Sequence, residues 1–351
     1  MRVLSIFAKS VLILILLAVL VLGAFLLVMT ITDYNPPEKT VLHIEGHGDT
    51  TLPDTMSILT WNLGYCSLGK EADFFLDGGR ESRGKSKIIV ENHIDNISVF
   101  IDSIKPDFVF IQEIDRNATR SFHIDEYKHL ENAMKNYVST FAVNYKTLWV
   151  PVPIYKPMGS VLGGLAVFSK YEPYYSVRFS FPGNYSWPVK LFQLDRCYIE
   201  TKYKLKSNDL VVINLHLSAF DKGGFLRKKQ LEYLKKHILN EYEKGNYVLV
   251  GGDWNHIFPG VDLKAINENN IPKDVPTLPR NWIPNGWKLA FDSTIPTNRS
   301  NNHPYVEGEN TVTIIDGFLL SPNIKLLEVR GINLHFNDSD HNPVFLRIAL
   351  Q

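Results

Sequence analysis

The sequence predicts a layered α/β domain with a mixed β-sheet, preceded by one N-terminal transmembrane helix. Three features support this prediction: an uncharged apolar run over residues 10–32, two segments with apolar residues at helical spacing, and a series of short apolar strands. Strands joined both by short turns and by helices are typical of layered α/β domains. A content of 45% hydrophobic and 21% charged residues excludes a largely disordered chain.

The N-terminal apolar run is long enough to anchor the chain in a membrane. An α-helix needs about 20 apolar residues to cross a bilayer, whereas the apolar region of a cleaved signal peptide usually has about 7–15. Arg2 and Lys9 precede the run, and Asp33 is the first charged residue after it. The positive-inside rule therefore predicts a cytoplasmic N-terminus, an uncleaved single-pass anchor at residues 1–32 and a domain outside the cytoplasm at the cell membrane.

Beyond the anchor, the sequence predicts a tether and one folded domain. The consecutive prolines of "DYNPPEKT" favour an extended chain, so residues 33–53 are interpreted as the tether and residues 54–351 as the domain. Apolar residues at helical spacing predict one helix over residues 87–105 and a second that includes residues 226–238. The nearly continuous apolar run "DFVFIQEI" predicts a strand that is covered on both faces.

Charge and cysteine content narrow the classes of function. Lysine plus arginine and aspartate plus glutamate both number 37, so the formal net charge is zero. Proteins that bind long nucleic acids without sequence preference usually carry a basic surface, so a nuclease is disfavoured but stays open. Two cysteines, Cys66 and Cys197, form neither a disulfide framework nor a zinc site. We expect them to be unlinked, with one disulfide as the alternative.

Polar side chains recur at the ends of the predicted strands, where a rigid backbone holds them in fixed directions. In chain order they are Asn62, Glu113, His216, Asp253, Asn255, Asp316, Asp340 and His341. Each one alone is also explained as a cap, a turn or an ion pair. Together, their carboxylate and amide oxygens suit Mg²⁺, and the two histidines suit proton transfer near neutral pH. This combination points to the hydrolysis of a phosphate ester.

Several motifs, taken in their order along the chain, resemble the endonuclease/exonuclease/phosphatase family, which includes DNase I, abasic-site endonucleases, inositol polyphosphate 5-phosphatases and neutral sphingomyelinases. They are Asn62, "QE" at 112–113, "NLHL" at 214–217, "GGDWN" at 251–255, "IDGFLLS" at 315–321 and "SDHNPV" at 339–344. The resemblance spans residues 56–349. It implies a DNase I-like catalytic domain, a four-layer sandwich in which two packed mixed β-sheets are flanked by helices.

The same resemblance implies a metal site. Glu113 would be the principal ligand of Mg²⁺, helped by Asn62 and Asp340. Oxygen ligands of this kind suit hard divalent cations, so Mn²⁺ and Ca²⁺ are the alternatives.

For the remaining residues, the resemblance implies roles in catalysis. His341 would activate the attacking water and would be held in orientation by Asp316. Asp253 and Asn255 would contact the scissile phosphate, and His216 would donate a hydrogen bond to it or act as the acid. Which of Asp253, His216 and His341 moves each proton is left open.

Two arginines are candidates for substrate binding. Arginine binds phosphate through two parallel hydrogen bonds, and both Arg196 and Arg299 lie close in sequence to aromatic residues or to the Asp316 strand. A surface salt bridge is the alternative interpretation for each.

The sequence leaves the phosphate ester itself open. The segment "KYEPYYSVRFSFPGNYSWPVKLFQLDR" is rich in aromatic residues, which favour both membrane interfaces and β-strands. Because the anchor would hold the site near lipid, we favour a phospholipid or a small phosphorylated headgroup as the substrate. An extracytoplasmic nuclease and a catalytically silent binding protein on the same fold are the alternatives, and no obligate protein partner is predicted.

Overall fold

The computed structural model describes residues 2–219, 221, 223–267, 270, 272 and 275–351. Its α-helices are α1 (Arg2–Ile31), α2 (Lys87–Ile104), α3 (Glu126–Ala133), α4 (Phe225–Glu243) and α5 (Leu263–Ile266). The helix predicted over residues 87–105 is α2, and the one that includes residues 226–238 is α4. Ser86 caps α2 by accepting a hydrogen bond from the Ile89 amide at 3.3 Å. Lys105 ends α2 in the left-handed conformation, directly before Pro106.

The strands form two large sheets and one short pair. Their bounds are β1 (Lys39–Val41), β2 (Thr55–Asn62), β3 (Phe108–Asp115), β4 (Val138–Val150), β5 (Gly159–Ser169), β6 (Tyr175–Ser180), β7 (Cys197–Lys204), β8 (Asp209–His216), β9 (Tyr247–Asp253), β10 (Lys288–Ala290), β11 (Asn298–Arg299), β12 (Val312–Thr313), β13 (Asp316–Leu320), β14 (Ile324–Gly331) and β15 (Val344–Leu350). The first sheet has the order β1-β6-β7-β8-β9-β13-β10 and the second β14-β15-β2-β3-β5-β4.

The two sheets pack face to face and are covered by helices on their outer faces. The core between them contains Phe110 and Leu346 of the second sheet and Val212 and Leu249 of the first. The apolar side of α4 packs on the outer face of the first sheet, and α2 and α3 pack on the outer face of the second. Parallel pairs, β2 with β3 and β8 with β9, lie within otherwise antiparallel sheets. The predicted four-layer sandwich of mixed sheets is confirmed.

This topology gathers strand ends at one edge of the sandwich. The parallel pair β2 and β3 ends near Asn62 and Glu113, and the parallel pair β8 and β9 ends at His216 and Asp253. Parallel neighbours end at the same edge of a sheet. Asp316 begins β13 directly opposite Asp253. Five strands therefore deliver polar side chains to one place from both sheets.

A buried amide connects the two sheets beneath this edge. The pairing of β3 with β5 is shifted by a bulge between Ile111 and Ile114. Asn214 of the opposite sheet donates from its Nδ2 to the carbonyls of Ile111 and Ala166, at 3.0 and 2.9 Å. Its Oδ1 accepts a hydrogen bond from Gln112 Nε2 at 2.6 Å. The bulge in one sheet is thus hydrogen-bonded to the other, which fixes the distance between the two halves of the site.

The N-terminal segments contact the sandwich. In α1, residues Ile6–Ile31 form a helix long and apolar enough to cross a membrane. Residues 33–53, interpreted from the sequence as a tether, include β1, which pairs with β6 at the edge of the first sheet. The start of the catalytic domain at residue 54 stays a prediction. Cys66 and Cys197 are separate buried thiols.

Candidate active site

The carboxylate of Asp253 lies at the centre of the gathered side chains. Its Oδ2 accepts a hydrogen bond from Asn62 Nδ2 at 3.0 Å and lies 3.3 Å from His216 Nε2. The same oxygen is 3.9 Å from His341 Nε2. Burial, followed by the nearby charge of Asp316, raises the pKa of Asp253 to about 7. One carboxylate thus faces an amide and two imidazoles, as required of a group that shares protons.

Glu113 reaches the site because the backbone bulges there. It occupies the β3 bulge with a φ of +50°, a conformation that is uncommon for a residue with a side chain. Its Oε1 lies 3.5 Å from Asn62 Nδ2 and 3.7 Å from His216 Nε2. Burial and then the negative charge of Asp340 raise the pKa of Glu113. A carboxylate with another negative charge beside it favours a bound cation.

A glycine makes room for the residues predicted as metal ligands. The amide of Gly64 donates to Asn62 Oδ1 at 3.0 Å, and a Cβ added at Gly64 would lie only 2.5 Å from Asp340 Oδ1. Asp340 Oδ2 accepts a hydrogen bond from Asn301 Nδ2 at 2.7 Å. The carboxylates of Glu113 and Asp340 both line the cavity, and carboxylate oxygens fit the donor preference of a hard divalent cation. Asn62 directs its Nδ2 towards Glu113 while its Oδ1 is held by the Gly64 amide.

His341 is oriented by a second carboxylate. Its Nδ1 lies 2.8 Å from Asp316 Oδ2, and its Nε2 lies 3.0 Å from Asn298 Nδ2. Burial lowers the pKa of His341, but Asp316 and then Asp253 and Asp340 outweigh that effect and raise it to about 10. Asp253, Asp316 and His341 also form a compact group whose ligand atoms lie within 4.8 Å of one another. Because Asp316 already holds His341, this group is arranged for proton transfer as well as for ligation.

The second histidine has the opposite electrostatic environment. Burial and then the positive charge of Arg196 hold the pKa of His216 well below its usual value. Its Nδ1 is buried and has no hydrogen-bond partner among the described residues. His216 is therefore a neutral imidazole at neutral pH, next to the Glu113 and Asp253 carboxylates.

Asn255 follows Asp253 in a tight left-handed turn. Its φ is +46°, its amide donates to Asp253 Oδ1 at 2.9 Å, and its Nδ2 donates to the Leu217 carbonyl at 2.8 Å. Asparagine tolerates this backbone conformation better than most residues. The turn connects the ends of β8 and β9 and places Asn255 in the wall of the cavity that contains Asp253.

The two candidate arginines differ in their surroundings. Arg196 lines the cavity, and its Nη1 is buried without a hydrogen-bond partner among the described residues. Arg299 Nη2 instead donates to backbone carbonyls, including those of Leu68 at 3.1 Å and Gly69 at 2.7 Å. The guanidinium of Arg299 holds the loop after β2 in place, whereas that of Arg196 is available to an anion.

Several supporting residues were not anticipated from the sequence. Asn298 contacts His341, Asn301 holds Asp340, and the Oγ1 of Thr297 accepts hydrogen bonds from the amides of Ile315 and Asp316 at 3.0 and 3.1 Å. All three lie within "TNRSN", where only the arginine was singled out. Their signal was present as a polar cluster, but an asparagine-rich loop is common in sequences and does not identify its own partners.

The sequence profile of the endonuclease/exonuclease/phosphatase family matches residues 59–341, which include every residue placed in the site above. The chain belongs to this family. The family resemblance drawn from the motifs is confirmed. A search of curated proteins found no match.

Solved structures of the same family share the fold. An endonuclease/exonuclease/phosphatase from Beutenbergia cavernae DSM 12333 aligns with a TM-score of 0.57 at 18% identity, covering 84% of this chain and 72% of that one. D. rerio TDP2 complexed with a single strand DNA product aligns at 0.51 and 15%, covering 84% and 98%. ANGEL2, a 2',3'-cyclic phosphatase, aligns at 0.54 and 14%, covering 89% and 99%. At these identities, the likeness establishes the DNase I-like fold.

Membership of the endonuclease/exonuclease/phosphatase family determines the type of reaction that the protein catalyses. This family member is a hydrolase that acts on phosphate ester bonds. Enzymes of the family are generally dependent on a divalent metal, and the buried acidic and histidine side chains described here are compatible with one.

Proposed function

We propose that this family member is a membrane-anchored, Mg²⁺-dependent phosphoesterase that acts on a phospholipid or a small phosphorylated headgroup outside the cytoplasm. The observation that carries the proposal is the position of Asp253. Its carboxylate lies between the amide of Asn62, close to Glu113, and the imidazoles of His216 and His341. A phosphate bound there would meet groups for cation binding on one side and groups for proton transfer on the other.

The cation would be held by Glu113, Asn62 and Asp340. A divalent cation there would neutralise charge on the phosphate and stabilise the leaving oxygen. We favour Mg²⁺ because the donors are carboxylate and amide oxygens, and Mn²⁺ or Ca²⁺ would meet the same ligands. The absence of a side chain at Gly64 supports this assignment, because a Cβ there would lie only 2.5 Å from Asp340 Oδ1.

Proton transfer would involve Asp253 and His341. Asp316 holds the imidazole of His341 with Nε2 directed towards Asp253. Because the neighbouring carboxylates raise the pKa of His341 to about 10, its imidazole is protonated at neutral pH, so the carboxylate of Asp253 would take the proton of the attacking water and the imidazolium would stabilise the charge that develops. Because His216 is neutral, it would donate a hydrogen bond to a phosphate oxygen rather than transfer a proton. Asn255 would support the phosphate from the turn after β9.

Arg196 would bind the phosphate itself. A buried guanidinium nitrogen without a partner is costly in an empty site and gains most from an anionic ligand. We do not extend this role to Arg299, because its Nη1 and Nη2 both donate to backbone carbonyls and only its Nε lacks a partner among the described residues.

The anchor suggests where the enzyme acts. The apolar helix Ile6–Ile31 would span the membrane, with the basic residues Arg2 and Lys9 on the cytoplasmic side and the catalytic domain of residues 54–351 on the other. An enzyme held at the bilayer surface meets phospholipids continuously. This supports a lipid headgroup as the leading substrate.

An extracytoplasmic nuclease is the second candidate. It is favoured by the likeness to D. rerio TDP2, which was solved with a single strand DNA product. The balanced charge of the chain weighs against it, because nonspecific binding of DNA depends on basic residues along the phosphate backbone.

The two candidates are separated by one parallel assay. Full-length protein in detergent or vesicles is incubated with Mg²⁺ and either phospholipid vesicles or plasmid DNA, with His341→Ala as the control. We expect headgroup release from the vesicles that is lost in the variant. Nicking of DNA without headgroup release would establish the nuclease instead.

A further inference from the structure

The cavity that contains the catalytic residues has two chemically different halves. Its volume is about 640 Å³, which is in the range of cavities that enclose a small organic ligand. One half contains the side chains of Glu113, His216, Asp253 and His341. The other half is apolar and is lined by Phe74, Leu76, Val150, Val152, Met158 and Phe192. A ligand that fills both halves has a phosphate at one end and hydrocarbon at the other.

The apolar half lies against the membrane helix. The ring of Phe192 stacks on the ring of Phe25 in α1, with centroids 6.0 Å apart. Trp187 Nε1 donates to Thr30 Oγ1 at 3.1 Å. Phe25 lies six residues before Ile31, the end of the apolar span, which is about 9 Å along a helix. If α1 crosses the bilayer, Phe192 therefore lies level with the outermost part of the membrane and not above it.

A hairpin next to Phe192 exposes an unusual number of apolar side chains. The end of β4 carries the exposed Leu148 and Trp149, and the connection from β4 to β5 carries the exposed Ile154 and Tyr155, with Ile154 exposed by 89%. Soluble surfaces seldom concentrate such residues, whereas tryptophan and tyrosine favour membrane interfaces.

Hydrogen bonds join this hairpin to the segment that touches α1. Tyr145 donates from its hydroxyl to the Phe192 carbonyl at 2.8 Å, and Thr147 Oγ1 donates to the Leu191 carbonyl at 3.2 Å. The same strand continues to Val150, which lines the cavity, and to the exposed residues beyond it. The exposed hairpin, the apolar half of the cavity and the last turns of α1 thus share one side of the domain.

We propose that the catalytic cavity opens onto the bilayer through this apolar half, and that the apolar half binds the hydrocarbon part of a membrane phospholipid. The inference deepens the proposed function and rests on it, since the phosphate of that lipid would lie among the catalytic residues. Burial of acyl chain against Phe74, Val152 and Phe192 supplies binding energy that a soluble headgroup alone lacks. The lipid does not need to leave the membrane completely, because the apolar wall starts at the level of α1.

Contact with the bilayer is tested without any enzymatic activity. Of the six tryptophans, only Trp149 and Trp187 are substantially exposed. Full-length protein is reconstituted in phosphatidylcholine vesicles whose acyl chains carry bromine, which quenches tryptophan at short range. We expect quenching relative to unbrominated vesicles that is clearly reduced in Trp149→Phe, which removes the tryptophan of the hairpin, and is reduced further when Trp187, which contacts α1, is also replaced. Equal fractional quenching in the wild type and Trp149→Phe would show that the hairpin does not touch the membrane, and would overturn the proposal.

The apolar half itself is tested by comparing two substrates. Val152→Asp and Leu76→Asp each place a carboxylate against the acyl chain, and Val99→Asp, on the exposed face of α2, is the matched control. We expect the ratio of kcat/KM for a long-chain phospholipid to that for bis(p-nitrophenyl) phosphate to fall by about tenfold or more in both cavity variants, because hydrocarbon against an unpaired charge is strongly disfavoured. The control should keep the wild-type ratio.

The outcomes separate this inference from the proposed function. An unchanged ratio in both cavity variants, with wild-type activity on both substrates, overturns the lipid subsite and leaves the phosphoesterase intact. A wild-type protein that hydrolyses neither diester contradicts the proposed function, and the quenching experiment then decides alone whether the hairpin meets the bilayer.

Discussion

Single residues determine how charge is distributed over the site. The two histidines occupy opposite environments, His341 among carboxylates and His216 beside the guanidinium of Arg196. The two arginines also differ, since both Nη atoms of Arg299 donate to backbone carbonyls, whereas Nη1 of Arg196 lines the cavity without a partner among the described residues. These contrasts depend on contacts between distant parts of the chain, and they make separate predictions.

Replacing the two arginines by methionine should have different consequences. Arg196→Met should weaken competitive inhibition by inorganic phosphate by about 10-fold to 100-fold, the worth of a charge-assisted hydrogen bond, and should leave Tm nearly unchanged. Arg299→Met should lower Tm, because the carbonyls of Leu68 and Gly69 lose a buried donor. Thermal unfolding and phosphate inhibition of both variants check this. A larger Tm loss for Arg196→Met than for Arg299→Met would reverse the assignment.

Loss of the carboxylate that orients His341 should reduce turnover. In Asp316→Asn, the imidazole loses the partner that lies 2.8 Å from its Nδ1. We expect kcat to fall by about 10²-fold or more, as for other disrupted proton-transfer groups. Asp292→Asn is the matched control, since Asp292 accepts hydrogen bonds from Thr294 and Gly331 outside the cavity. Equal kcat values for the two variants would remove Asp316 from the catalytic machinery.

At the scale of secondary structure, close contact between β8 and β9 places His216 beside Asp253. Gly252, with a φ of +134°, allows this contact, because a Cβ there would lie 2.1 Å from the Leu215 carbonyl oxygen. The β3 bulge has a similar function, since it directs Glu113 towards the same point. In the motif "GGDWN", the glycine Gly252 thus serves the packing of neighbouring strands, whereas Asp253 and Asn255 supply polar groups to the site.

Adding a methyl group at Gly252 should disturb both stability and activity. Gly252→Ala meets the neighbouring strand and a backbone conformation unfavourable for side chains, and we expect a loss of about 3 kcal/mol or more in the free energy of unfolding. Gly308→Ala isolates the backbone cost, about 1–2 kcal/mol, because Gly308 also has a positive φ but no atom within 4 Å of its added Cβ. Thermal unfolding of the pair measures the difference. A Tm for Gly252→Ala at or above that of Gly308→Ala would refute the packing argument.

Glu241 of α4 accepts a hydrogen bond from Lys202 of the first sheet, and this contact should make the stability of the fold depend on pH. Burial alone would raise the pKa of Glu241, but hydrogen bonds from Lys202 and Lys244 outweigh it and lower the pKa to about 2. Glutamate in an unfolded chain titrates near about 4.3, so this stabilisation is complete above about pH 5 and is lost as the pH falls towards 2.

The test of this contact compares substitutions at two glutamates of α4, Glu241 and Glu243. Glu241→Gln should lower Tm clearly at pH 7 and much less at pH 3, whereas Glu243→Gln, which is exposed, should change Tm little at either pH. A Tm difference between wild type and Glu241→Gln that grows as the pH is lowered would contradict the assigned sign.

For the whole molecule, the four layers and the order of the site residues could be predicted from the sequence. Apolar strands ending in Asn62, Glu113, His216 and Asp253 are local signals, and their order matches the family. The sequence could not predict that the Nη2 of Arg299 donates to the carbonyls of Leu68 and Gly69, because these residues lie about 230 positions away along the chain. Nor could it predict that residues 39–41 pair with β6, since a three-residue strand has almost no pattern of its own.

The anchor and the catalytic domain are in contact through the last turns of α1. Met29 is buried there, and Lys190 forms an ion pair with Asp33 at 2.9 Å. If α1 crosses a membrane as proposed, this contact gives the enzyme a fixed side towards it. It also means that a soluble fragment lacking α1 would expose apolar surface that the full chain covers.

The central claim is that Glu113 and His341 belong to one metal-dependent phosphoesterase site. The most direct measurement is p-nitrophenol release from bis(p-nitrophenyl) phosphate and p-nitrophenyl phosphate by full-length protein, with Mg²⁺ and after chelation, for the wild type, Glu113→Gln and His341→Ala. We predict activity on at least one ester that requires Mg²⁺ and falls by about 10²-fold or more in both variants. Wild-type rates that persist after chelation, or in His341→Ala, would contradict the account.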